Sequence, residues 1–356
     1  MLAVILLLLF LVSSVSSYFD CPKRCQCYED ADGSSVHLIC KWDELNTTNL
    51  DSLRRPEAVR TLTIRCPHFS RKKSTPPAGL FRGLRNLDRL EIERCVLTSL
   101  PGALLSGLHQ LYSLIIKNAK LPSIPDELFR HTPNLMTLDL TGNELRIEPY
   151  SLSSLRNLIH LDLSNNSIAF LTNTLISLTK LNVLTMDSNR LTNIDFRRLP
   201  EQLTDLSLRN NFITTLHYVP QSARNLRRID LSGNQLEFLA GSGSVNMLPP
   251  ALKQVDLMRN RISQNRLSEL REESLVGPQT RTRLFLEGNQ FQCHCSLRWM
   301  LHATTKTSPV VLDLPTITCS QLLDEGGLLN LTVADQLNLL ICKYETVSSF
   351  TILSLL

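Results

Sequence analysis

Ten cysteines are the residues of this 356-residue chain with the plainest capacity for chemistry. They fall into three groups: Cys21, Cys25, Cys27 and Cys40; Cys66 and Cys95; and Cys293, Cys295, Cys319 and Cys342. Such residues either pair as disulfides or, reduced, ligate zinc. His294 stands inside the last group, but zinc sites usually separate their cysteines by about two to four residues, whereas these pairs read Cys-x-Cys. An even count in a secretory setting favours disulfides. A second arrangement is His160, Asp162 and Ser164, the residue types of a nucleophilic triad. Alternate positions on one strand set the three along a line, not around a reacting atom. The same aspartate and serine return in Ile229-Asp230-Leu231-Ser232 without a histidine. The chain has no Gly-x-Ser-x-Gly, His-Glu-x-x-His or phosphate-loop motif. The expectation is therefore no enzyme, no catalytic residue, no metal and no cofactor.

The ends bear on compartment. Met1 to Leu11 form an apolar run followed by Ser13-Ser14-Val15-Ser16-Ser17. This pattern predicts a signal peptide over residues 1–17, cut before Tyr18. The run is too short for a span of about 20 residues, as is the tail from Val347 to Leu356. The expectation is release if the chain is complete, with a lost membrane anchor as the alternative if it is truncated. Asn-x-Ser/Thr sequons at Asn46, Asn165 and Asn330 predict surface glycans. The net charge of +4 lacks the concentrated basic face of a nucleic-acid binder.

Between the cysteine groups the chain repeats itself. Leu87-x-x-Leu90-x-Ile92-x-x-Cys95-x-Leu97 returns as Leu135-x-x-Leu138-x-Leu140-x-x-Asn143-x-Leu145 and again from Leu158. Further copies begin at Leu111, Leu181, Leu203, Leu226 and Leu252, with partial copies at Val59 and Leu284. Period-two leucines predict one short strand per unit with those leucines inward. An Asn ladder follows each strand: Asn143, Asn166, Asn189, Asn211, Asn234, Asn260 and Asn289, with Cys95 in that place earlier and Ala119 interrupting it. Inward amides there satisfy backbone groups that a buried turn leaves unpaired. Leu100, Ile124, Leu128, Leu155, Leu171, Leu175 and Leu178 anchor the return segments. One unit cannot bury both faces, so the units must stack.

This pattern resembles the leucine-rich-repeat family. The resemblance implies an α/β solenoid, a horseshoe with a concave parallel sheet and short helical or irregular returns. About ten units occupy residues 59–290. The cysteine groups resemble the caps of extracellular members, such as Toll-like, Slit and adhesion-receptor proteins: an N-terminal cap over 18–58 and a C-terminal cap over 291–345, before a tail at 346–356. The family pattern implies the pairs Cys21–Cys27, Cys25–Cys40, Cys293–Cys319 and Cys295–Cys342. Spacing alone leaves three pairings open for each group of four. Cys66 and Cys95 fall near the turns of adjacent units, about 4.8 Å apart, within disulfide reach.

The concave face is the expected binding surface. Its middle column reads Glu91, Ile115, Asp139, Asp162, Thr185, Ser207, Asp230, Asp256 and Phe285. Beside it stand His160, Asp187, Arg209, Arg228 and Met258. The column is acidic, with arginines to one side, while Ile115, Met258 and Phe285 offer apolar anchors. The family resemblance implies recognition of an extracellular or cell-surface protein, with a receptor ectodomain or a matrix protein as alternatives. Insertions around 70–77, 241–244 and 264–279 add loops to this scaffold.

Overall fold

The computed structural model describes residues 21–45, 50, 53–67, 72–217, 222–237, 248–261, 282–289, 291–292, 300, 310–322 and 328–332. The signal segment, Asn46, Cys293, Cys295, Cys342 and the insertions at 241–244 and 264–279 lie outside these residues. Cys319 and Asn330 fall on strands whose side chains are not described.

One sheet of 13 strands carries the repeats. It opens with β1 (Cys25–Glu29) and β2 (Val36–Lys41), an antiparallel pair. Then come β3 (Val59–Arg65), β4 (Arg89–Glu93), β5 (Ser113–Lys117), β6 (Thr137–Asp139) and β7 (His160–Asp162). The sheet ends with β8 (Val183–Thr185), β9 (Asp205–Ser207), β10 (Arg228–Asp230), β11 (Gln254–Asp256), β12 (Arg283–Phe285) and β13 (Val310–Val311). From β2 onward the strands of this sheet neighbour one another in chain order, and every pairing is parallel.

Leucine spacing explains both layers. Leu90, Leu114, Leu138, Leu161, Leu184, Leu206 and Leu284 point inward at 0–2% exposure. The returns contain 3₁₀ turns, such as Tyr150–Ser154 and Thr174–Ser177, and no α-helix among the described residues. Buried residues there recur every third position: Phe81, Leu84 and Leu87; Leu105, Leu108 and Leu111; Leu152, Leu155 and Leu158; Leu175, Leu178 and Leu181. Three residues per turn is the 3₁₀ period, and successive i→i−3 bonds close those turns, as from the Leu178 N–H to Leu175 and from the Leu181 N–H to Leu178. The helical part of the α/β expectation is thus met by short 3₁₀ pieces.

The Asn ladder ties the units together. The Asn211 amide donates to the carbonyls of Leu208 and Met186, both at 3.0 Å, bridging its own unit and the one before. Its oxygen accepts the Leu191 N–H at 3.1 Å. Asn166, Asn189, Asn234 and Asn260 repeat this three-way arrangement, and each is buried. Asn143 accepts two amides, from Ala119 and Leu121, and so closes the unit where alanine interrupts the ladder.

The residue before each ladder position adopts positive φ: Arg94, Asn118, Gly142, Asn165, Ser188, Asn210, Gly233, Arg259 and Gly288. Left-handed backbone turns the chain off the strand there. At Gly233 a Cβ would stand 2.3 Å from Asn210 Oδ1, so a larger residue there must displace the Asn210 side chain.

Three disulfides bind the first units: Cys21–Cys27, Cys25–Cys40 and Cys66–Cys95. Cys25 and Cys40 face each other across β1 and β2. Cys66 follows β3 and Cys95 follows β4.

The ladder makes a quantitative expectation. Asn211→Leu keeps the volume but leaves the Leu191 N–H buried without a partner, at about 1–3 kcal/mol, while the Met186 and Leu208 carbonyls keep Asn189 and Asn234 as donors. Urea denaturation with disulfides intact should show a loss of about 1–3 kcal/mol; a change within about 0.5 kcal/mol, typical of a surface site, would refute the structural role.

Candidate functional site

The sheet register brings the sequence-derived column into one line. Glu91, Ile115, Asp139, Asp162, Thr185, Ser207, Asp230, Asp256 and Phe285 are successive lateral partners from β4 to β12. His160 and Arg228 lie in the adjacent row and are exposed. Arg209 is exposed, Asp187 and Met258 half-buried, and all three lie just past their strands.

Ile115 does not offer an exposed anchor. It is 7% exposed on a strand whose first four residues are all buried. Its lateral neighbours are Glu91 and Asp139, and Lys117 reaches Asp139 with Nζ at 2.6 Å. Glu91 and Asp139, held by Arg89 and Lys117, flank this branched side chain. Phe285 and Met258 remain half-buried.

The aspartates of the column have a backbone task. Asp139, Asp162, Asp230 and Asp256 each accept the N–H two residues on, at 2.8–3.0 Å, from Thr141, Ser164, Ser232 and Met258. Each carboxylate therefore holds the end of its own strand in an Asx turn. Asp187 instead accepts from the Ser207 hydroxyl at 2.6 Å and the Arg209 N–H at 2.9 Å, bridging to the next unit. In the last repeat Asp313 accepts the N–H groups of Leu286 and Glu287, both at 2.6 Å.

The cations of the face pair with these acids. Arg65 meets Glu93 at 3.2 Å, Arg89 meets Glu91 at 3.6 Å, Arg209 meets Asp230 at 3.7 Å, and Arg228 pairs with Asp205. Within the column, Glu91, Asp139 and Asp230 are thus paired with Arg89, Lys117 and Arg209. Asp139 holds the Lys117 ammonium above its ordinary pKa by hydrogen bonding. Burial raises the carboxyls of Asp187 and Asp256, and the charges of Asp230 and Asp313 add to the effect at Asp256.

Two residues of the triad-like arrangement have backbone tasks. Asp162 accepts the Ser164 N–H, and the buried Ser164 hydroxyl accepts the Asp187 N–H at 3.1 Å. Asn165 is exposed at the trailing edge, where its strand ends.

A row absent from the sequence reading lies along the leading edge, where the strands begin: Tyr112, Met136, Ile159, Asn182, Thr204, Arg227 and Lys253. The signal was present in Leu-x-x-Leu, whose two middle residues both lie between inward leucines. Near Thr204 and Lys253 this edge opens a cleft of about 630 Å³ that Asp205, Arg227, Arg228 and Arg283 also line.

No protein-family model matches the chain. It is similar to Toll-like receptor 7 of Drosophila melanogaster, 26% identical over 188 residues, which are 46% of this chain and 13% of that receptor. It is also similar to Toll-like receptor 6 of Dasypus novemcinctus, 31% identical over 134 residues, 37% of this chain and 16% of that receptor. The matches thus span a small part of these relatives' length. Among solved structures, a leucine-rich-repeat protein of Leptospira interrogans aligns with a TM-score of 0.53 at 23% identity, covering 74% of this chain and 69% of that one. The leucine-rich-repeat domain of APL1B aligns at 0.51 and 21% identity, covering 60% and 61%. A chain of the Drosophila Toll–Spatzle complex aligns at 0.50 and 20% identity, covering 78% and 47%. The chain has the leucine-rich-repeat fold. Its sequence relatives make it similar to the Toll-like kind.

The sign of the Asp256 shift gives a pH test. A carboxyl with a raised folded pKa costs stability above that pKa, and the cost disappears below the unfolded value. Asp256→Asn keeps an oxygen for the Met258 N–H and removes the charge. Its melting temperature should exceed that of the parent at pH 7, with the gain shrinking as pH falls toward 3.8, the ordinary value. A gain independent of pH would refute the electrostatic account.

Proposed function

We propose that this chain is an extracellular or cell-surface recognition module of receptor type that binds a protein ligand through the concave sheet face. The observation that carries the reading is the single column from Glu91 to Phe285, presented in register by nine consecutive strands. Such a face is rigid, because the Asn ladder and Asx turns fix each strand end, and rigid presentation lowers the ordering cost of association. The likeness to Toll-like receptors and the alignment with a chain of the Toll–Spatzle complex support a protein ligand. The three disulfides favour an oxidising compartment. Among the described residues no helix is long and apolar enough to cross a membrane.

Internal pairing refines what the ligand meets. Half-buried Phe285 and Met258 lie at one end of the column, beside Asp256 and Asp230. That end is the proposed contact centre, since apolar groups set among charges form the anchors of protein interfaces. Asn165 is proposed as a glycan site on the trailing edge. Asn165→Gln in secreted protein should lower the mass by one N-glycan; an unchanged mass would remove that site.

The function is tested by screening the full secreted chain against extracellular and cell-surface proteins, then measuring the affinity of Phe285→Ala and Asp230→Arg for the ligand found. Each variant should weaken binding about tenfold or more while keeping a cooperative melt. Unchanged affinity in both would place the interface elsewhere.

A further inference from the structure

The leading-edge row has a backbone arrangement of its own. Each row residue donates its N–H to the row residue of the preceding unit: Met136 to Tyr112, Ile159 to Met136, Asn182 to Ile159, Thr204 to Asn182, Arg227 to Thr204 and Lys253 to Arg227. The next residue along the chain donates to the same carbonyl, as Thr137 does to Tyr112 and Gln254 to Arg227. Two residues thus oppose one acceptor in every unit, a regular bulge that turns both middle residues of Leu-x-x-Leu outward. The row is equivalent by backbone, and its amides and carbonyls are already paired. A partner here must be held by side chains, because no backbone remains to add a strand.

Those side chains change character along the row. Tyr112 and Met136, in adjacent units, are 47% and 45% exposed. Ile159, Asn182 and Thr204 continue the row without charge. Arg227 and Lys253 complete it, with Arg228 and Arg283 beside them around the cleft. Arg228 pairs with Asp205, but no ion pair among the described residues neutralises Arg227, Lys253 or Arg283. Asp88 precedes Tyr112 in the same bonding pattern, its carboxylate 3.8 Å from Arg60, so from Tyr112 to Lys253 the row runs from apolar to cationic.

We propose that this edge is the docking line for an extended segment of the protein ligand, with apolar side chains at one end and a cluster of carboxylates at the other. The proposal rests on the reading of the chain as a protein-recognition module. Six strand spacings separate Tyr112 from Lys253, about 29 Å at 4.8 Å each. An extended chain covers that distance in about nine residues. Guanidinium groups fit carboxylates through paired hydrogen bonds, and the open cleft admits side chains bearing them. A sulfated polysaccharide would satisfy the cations but offers nothing to Tyr112 and Met136.

The test uses the full secreted chain and three labelled probes. One is a nine-residue peptide with three leucines, three serines and three glutamates in blocks. The second has the same composition interleaved, and the third is a heparin-derived hexasaccharide. By fluorescence anisotropy the block peptide should bind at least about tenfold more tightly than the interleaved one. Arg227→Glu with Lys253→Glu should abolish that preference, as should Met136→Asp, while Arg227→Lys with Lys253→Arg retains it. Melting curves establish that each variant is folded, and Asn182→Asp supplies a second variant in mid-row. Equal binding of the two peptides overturns the proposal, as does no binding of the block peptide. Tighter hexasaccharide binding that Met136→Asp leaves unchanged assigns the cleft to a polysaccharide and also overturns it. A protein ligand that loses affinity with Phe285→Ala and Asp230→Arg, yet not with the edge variants, would leave the recognition reading standing and remove this docking line.

Discussion

Everything in this molecule depends on how the buried turn after each strand satisfies its backbone. A turn that faces the core exposes carbonyls and amides to a place without water, at a cost of about 1–3 kcal/mol for each group left unpaired. One Asn per unit resolves this by donating to two carbonyls and accepting one amide from the unit before. Because the partners lie in two units, the same bonds that close a turn also fix the step to its neighbour. The strand register, the sheet and the outward columns all follow from that step. Where alanine interrupts the ladder at position 119, Asn143 accepts the amides of both Ala119 and Leu121. Earlier still, the Cys66–Cys95 disulfide joins adjacent units covalently.

The outward face shows how one side chain can serve fold and surface together. Asp139, Asp162, Asp230 and Asp256 look like an acidic recognition stripe when read as a column. Each also caps its own strand end, and Lys117 and Arg209 pair with two of them, Asp139 and Asp230. Complementarity to a basic ligand is therefore weaker than the count of aspartates implies, and the half-buried Phe285 and Met258 gain weight as contact groups. At the leading edge the balance is reversed. The backbone there is fully paired, and Arg227, Lys253 and Tyr112 are left with little structural work.

Much of this was legible in the residues. The Leu-x-x-Leu phase gave the strands, and the recurring Asn gave the turns. Ile115 was misplaced because burial on an outward face depends on lateral neighbours. Glu91 and Asp139 lie 24 residues to either side in sequence, and no local pattern reports their reach. The 3₁₀ returns were encoded in the threefold spacing of Leu175, Leu178 and Leu181, which is visible once that period is sought. The positive-φ row was hidden because glycine, asparagine, serine and arginine all occupy it, so residue type does not announce the conformation. The double-acceptor carbonyls of the leading edge belong to pairs of units, and a single unit cannot reveal them.

The antiparallel pair that opens the sheet has a consequence for assembly. A stack of parallel strands is in principle open-ended, since its outermost strand offers the same pattern of donors and acceptors as every strand inside it. Left bare, that edge would accept another copy of the stack and grow into a fibre. Here β1 runs against β2, and the Cys25–Cys40 bond locks the two in place. The reversal breaks the repeat, so a second copy of the stack would meet a strand running against its own. In polymer terms the hairpin is a chain terminator, and its disulfide keeps that terminator from peeling away.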